Sequence, residues 1–101
     1  MSMEVSLIKH GNNAELKLNG NIDAMNAAEV ENILTGTVAQ YDNLLLDMAK
    51  LEYVSSAGLR AFKRAYVELR RKGGVLSAKN VSRSVLEVLE LTGFTRLFKF
   101  L

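Results

Sequence analysis

The chain has 101 residues, nearly half of them hydrophobic, a net charge of +2 and no cysteine. That length holds a single domain, residues 1–101, and the composition is that of a globular protein rather than a disordered one. Without cysteine no disulfide framework or thiolate metal site can form. No apolar run approaches the roughly 20 residues of a membrane span, and the N-terminus lacks the long apolar core of an export signal. A cytoplasmic location is the expectation.

Residues 3–9 and 14–19 alternate apolar and polar side chains, with Val5, Leu7, Ala14, Leu16 and Leu18 on period two, as half-buried strands require. Gly11, Asn12 and Asn13 between them tolerate positive φ, so the pair reads as a hairpin. Asn26 is the expected cap of a first helix, with Glu29 three residues on completing a capping box. Ala27, Val30, Ile33, Leu34 and Val38 then recur at helical spacing as far as about Gln40.

Leu44, Leu45 and Leu46 form a short apolar run ending in Asp47, the pattern of a mid-sheet strand covered on both faces. A loop holding Leu51 and Tyr53 should follow, and a second helix should start near Ala57. Leu59, Phe62, Tyr66 and Leu69 mark its inner side, and Gly73-Gly74 stops it. Val75 to Ala78 reads as the next strand. Ser82 caps a third helix with Val85, Leu86 and Leu89 inward, Gly93 ends it, and Leu97–Leu101 reads as a last strand at or near the sheet edge. The order β-β-α-β-α-β-α-β predicts an α/β fold, one mixed sheet of about five strands with helices packed on it.

Arg60, Lys63, Arg64, Arg70, Arg71 and Lys72 concentrate charge on the second helix. With no aromatic stacking cluster and no DNA-reading motif beside them, they read as a solvated face rather than a nucleic-acid site. The lone His10 reads as a solvated turn residue; with no converging ligands it holds no metal. Glu29 and Glu31 suit the start of a helix, and Glu52 an exposed loop. No nucleophile elbow, Walker loop or dinucleotide fingerprint is present, so neither catalysis nor a bound cofactor is expected.

The informative stretch runs from Asp47 to Leu59. A strand, a loop and two serines lead into a helix, and α/β sheets collect their binding sites where strands end and helices begin. Ser55 and Ser56 therefore stand where function is expected, although a serine in that position also serves as an ordinary N-cap.

With Leu18-Asn-Gly-Asn-Ile-Asp23, Leu44-Leu-Leu-Asp47, Tyr53-Val-Ser-Ser-Ala-Gly-Leu59 and Val88-Leu-Glu-Leu-Thr-Gly-Phe94 in this order, the chain resembles the STAS family, the domain of bacterial anti-sigma-factor antagonists. The resemblance covers essentially the whole chain. It implies an antagonist that binds an anti-sigma-factor serine kinase when unmodified, so freeing a sigma factor, and that loses this partner once the kinase phosphorylates it with ATP. Alignment on Gly58 and Leu59 places the phosphoserine at Ser56. Ser55, where the family often has Asp, is the alternative acceptor.

The resemblance further implies a partner surface made of Asp23, Ser55, Ser56, Ala57, Gly58 and Leu59. It makes Asp47 a supporting acid that, with Asp23, opposes the phosphate's charge. Those repulsions should roughly offset the attraction of the helix start. Many family members continue into a C-terminal helix after the last strand, so the face that helix would cover is expected to be bare or covered by a partner. A STAS subunit regulating a membrane transporter, such as a lipid-transport ABC system, is the alternative role.

Overall fold

The computed structural model describes residues 3–101. In chain order the elements are β1 (Glu4–His10), β2 (Asn13–Ile22), α1 (Ala27–Gln40), β3 (Asn43–Val54), α2 (Ser56–Arg71), β4 (Leu76–Lys79), α3 (Arg83–Thr92), a 3-10 turn (Phe94–Leu97) and β5 (Lys99–Phe100). The sheet order is β1-β2-β3-β4-β5. β1 pairs antiparallel with β2, and every later pair is parallel.

This order dictates the layering. Each β-α-β connection steps to the next strand in the same direction. Crossovers are right-handed almost without exception, so successive steps in one direction lay their helices on one face of the sheet. The result is a two-layer molecule. Ala14, Leu16 and Leu18 on β2, Leu44, Leu46 and Met48 on β3, and Leu76 and Ala78 on β4 point into a single core. There they meet Val30 and Leu34 of α1, Phe62, Ala65 and Leu69 of α2, and Val85 and Leu89 of α3.

The central strand is therefore covered on one face only, which corrects the expectation drawn from the Leu44–Leu46 run. Leu45, on the open face, is half-buried among its strand neighbours. That face is charged. Glu15 is 6% exposed, with Lys79 Nζ at 3.1 Å and His10 Nε2 at 3.4 Å from its carboxylate oxygens. By alternation Glu15 stands on the face of β2 opposite the core. An inner strand of an open sheet face is nonetheless shaded by its neighbours on both sides. His10 is the last residue of β1 rather than a turn residue.

Other expectations shift for local reasons. β3 runs on to Val54, so Leu51 and Tyr53 lie in a strand rather than a loop, because β2 continues to Ile22 and supplies pairing partners that far. Asn26 precedes α1 but does not cap it: it has helical φ/ψ of −108° and −1°, and its side chain turns back into the loop. The last strand shrinks to Lys99–Phe100, preceded by a 3-10 turn that buries Leu97. Tyr66 and Leu86, expected inward, are half-buried.

The caps of the other helices form as the sequence suggested. Ser82 Oγ accepts the Val85 N–H at 3.3 Å, and Gly93 ends α3 at φ 76°. Gly73 leaves α2 at φ 77°, while a Cβ on Gly74 would lie 2.0 Å from the Asp42 carbonyl, so the pair serves both the turn and a close approach of backbone.

Phe62 is the largest fully buried side chain and meets Phe98 edge-to-face, with ring centroids 5.7 Å apart. Phe62→Ala should lower the unfolding free energy by about 3–5 kcal/mol, read from urea melts. That is a large part of the stability of a domain this size.

Candidate functional site

The long register of β2 with β3 ends at Ile22 opposite Val54, and the next residue, Ser55, donates its backbone N–H to the Ile22 carbonyl at 2.8 Å. Two loops thus leave the sheet side by side: the one carrying Asp23 and the turn into α2. Their nearness follows from strand pairing over a separation of some thirty residues, and no local pattern encodes it.

The two serines have different tasks. Ser55 is the N-cap of α2, extended at φ −79° and ψ 170°, and its Oγ accepts the Gly58 N–H at 3.2 Å. Its carbonyl takes the Leu59 N–H at 2.9 Å, closing the first helical bond. Ser56 is the first residue of the helix. Its side chain is exposed, and among the described residues it makes no hydrogen bond. No acidic residue stands in the first turn of α2, so the partial positive charge of the helix start is uncompensated from within the helix.

Of the candidate surface residues, Asp23, Ser55, Ser56 and Ala57 reach solvent, while Gly58 and Leu59 are buried. Leu59 belongs to the core. Gly58 is a spacer, since a Cβ there would lie 2.6 Å from Ile22 Cγ2 and 2.9 Å from Val54 Cγ1. These two residues shape the site from beneath. Gly58 is needed because the helix approaches the strand ends closely.

Asp23 is held within its own loop. Its Oδ1 accepts the Met25 and Asn26 N–H groups at 2.9 and 3.0 Å. Asn26, 8% exposed, returns the contact by accepting the Asp23 N–H at 2.9 Å and donating to the Asn21 carbonyl at 2.8 Å. The Asp23 carboxylate thus does the work assigned to Asn26, and the reciprocal pair fixes the loop beside Ser55. Two apolar side chains stand out around it, Met25 at 95% exposure and Tyr53 at 52%. The sequence offered no signal for Met25. Tyr53, an aromatic residue just before the serines, was legible but was assigned to a loop.

Asp47 lies elsewhere, contrary to expectation. Because β3 continues for seven more residues to Val54, Asp47 is roughly 25 Å from the serines along the strand. It sits on the open face between Lys17 and Lys79, its register partners on either side. Burial pushes its carboxyl up, but bonds from Asn80 Nδ2 at 3.0 Å and the Ala49 N–H at 3.1 Å, with the charges of Lys79 and Lys17, outweigh that and hold it below its ordinary value of 3.8. Among the described residues there is no group of three or more His, Cys, Asp or Glu placed to hold a metal ion, and no helix is long and apolar enough to cross a membrane.

Two measurements check this geometry. Gly58→Ala should destabilise the protein by about 1–2 kcal/mol in urea, because overpacking against Ile22 and Val54 exceeds the gain in helix propensity. Asp47→Asn should lower stability at pH 7, and the difference from wild type should close in acid. A depressed carboxyl contributes fully above its unfolded value, and that contribution is lost as pH falls through the lower folded value, so the gap narrows only below about pH 4.

Comparison with known proteins agrees with this architecture. BtrV of Bordetella bronchiseptica is 34% identical over 82 residues, covering 80% of this chain and 71% of that protein. The anti-sigma-B factor antagonist of Bacillus subtilis is 24% identical over 93 residues, 92% of this chain and 85% of its own length. Among solved structures, an anti-sigma factor antagonist from Mycobacterium paratuberculosis superimposes with a TM-score of 0.86 at 22% identity, covering 98% of this chain and 85% of that one. At that identity the likeness speaks for the fold. Residues 4–101 match the STAS domain, and with that coverage the chain belongs to the STAS domain family.

Proposed function

We propose that this protein is a cytoplasmic anti-sigma-factor antagonist that acts by binding rather than by catalysis. In its unmodified state the surface around Ser56 binds an anti-sigma-factor serine kinase, and the sigma factor is released. The kinase then moves the γ-phosphoryl group of ATP to Ser56 Oγ. The hydroxyl proton passes to a base of the kinase, ADP leaves, and the modified chain no longer binds.

The observation that carries this reading is the division of labour between the serines. Ser55 Oγ is occupied as the helix cap, whereas Ser56 Oγ is exposed and makes no hydrogen bond among the described residues. A kinase reaches Ser56 without disturbing the helix start. Exposed Met25 in the Asp23 loop and exposed Tyr53 near the end of β3 supply apolar area of the kind from which interfaces draw much of their affinity. A dianion set in that surface would have to be desolvated on binding, which costs several kcal/mol. The relatives named as anti-sigma-factor antagonists support the same reading.

The test is to incubate the purified protein with the anti-sigma-factor kinases of its own genome and ATP, and to locate phosphate by mass spectrometry. Phosphate is expected on one serine, lost in Ser56→Ala and retained in Ser55→Ala, although the latter should be less stable by about 1 kcal/mol for want of its cap. Phosphorylation should weaken kinase binding by about a hundredfold or more, with an unchanged circular dichroism spectrum. Absence of phosphate with every kinase, together with stable association with a transporter complex, would replace this reading with the transporter-regulating one.

A further inference from the structure

The cations of α2 divide into two groups. Arg64 lies 3.5 Å from Glu31 and 3.8 Å from Glu68, and Arg71 lies 3.5 Å from Glu68. Arg70 donates to Tyr66 Oη at 3.1 Å and stands over the Tyr66 ring, and Lys72 Nζ donates to the Val38 carbonyl. Arg60 and Lys63 have no acidic partner within ion-pair distance among the described residues, and both are exposed. The two cations without a partner are the two nearest Ser56.

Their direction matters as much as their position. Ser56 and Arg60 are four residues apart in one helix, so their Cβ atoms are about 5–6 Å apart on the same face. Helical side chains lean toward the N-terminus, and a long one covers the turn before its own Cα. An Arg60 side chain extended in that direction reaches back over Ser56. Lys63, two turns on from Ser56, continues the same stripe. Few acids oppose a phosphate here: α2 has none in its first turn and Asp47 lies far along β3, while Asp23 keeps its charge but directs Oδ1 at the N–H groups of its own loop.

Resting on the reading of Ser56 as the modified residue, we infer that Arg60 is a built-in counter-ion for phosphoserine 56, folding the phosphate onto the first turn of α2 through charge-assisted hydrogen bonds while Lys63 adds a weaker attraction. The local balance then favours the phosphate rather than cancelling, and modification draws Arg60 out of the surface offered to the partner. Arg60 acts here as a positioning residue. It senses the modification without taking part in the transfer.

The test uses the full chain with phosphoserine installed at position 56 during synthesis, so no kinase is involved. Its second ionisation is followed by 31P NMR in the native sequence and in Arg60→Gln, Arg60→Lys and Lys63→Gln. The phosphate should titrate about half a unit or more lower in the native chain than in Arg60→Gln. Arg60→Lys should keep part of that shift and Lys63→Gln should lose little of it, while about 1 M salt should erase it. Equal titrations in the native chain and Arg60→Gln, both folded by circular dichroism, would overturn the inference and leave the kinase result untouched. Conversely, a Ser56 that no kinase modifies would remove the functional reading and leave the titration as it stands.

Discussion

The parallel pairing of β2 with β3, carried to its last residue, is the contact on which the rest of the site depends. It brings Ile22 opposite Val54 and lets the Ile22 carbonyl take the Ser55 N–H. The Asp23 loop and the start of α2 are then neighbours. Gly58 is required because α2 must descend onto those same two side chains. A slip of one residue would turn the inward face of one of the two strands outward. The site and the core therefore share one register, and the position of Ser56 is held as firmly as Leu16 and Leu46 are buried.

Strand order carries the second constraint. Three successive crossovers stepping the same way lay all three helices on one side, so the other face of the sheet is left to side chains alone. Its solution is a lattice of alternating charge, Glu15 with Lys79 and His10, and Asp47 between Lys17 and Lys79. Shaded carboxylates are tolerated there because each has a cation or a donor at hand. These charged pairs lie far along the strands from the serines, and their acids stabilise the sheet.

At the candidate site, one serine caps the helix and the next has an exposed hydroxyl with no hydrogen bond among the described residues. Capping needs the residue just outside the helix, in an extended conformation, and Ser55 fills it. Ser56 Oγ makes no hydrogen bond among the described residues, so the cap does not depend on its hydroxyl. Attaching a dianion at the first helical position suits the macrodipole, and the unpaired Arg60 one turn on adds to that.

Much of this was legible in the residues taken alone. The alternation in residues 3–9 and 14–19, the helical stripes, the Ser82 cap and the glycine stops specify element type and order through local physics, each within a few residues of its effect. The Ser55-Ser56 pair before a helix singled out the candidate site for the same reason. What local pattern could not supply was the course of the strands past their apparent ends and the choice of neighbours in the sheet. Those depend on pairing between residues some thirty positions apart, and they carried Asp47 away from the serines, took Asn26 out of its capping role, buried Glu15 and left Leu45 on an open face. Which of six clustered cations stood without a partner was likewise a matter of tertiary contact, because Arg64 is neutralised by Glu31 of another helix while Arg60, one turn away, has no such neighbour among the described residues.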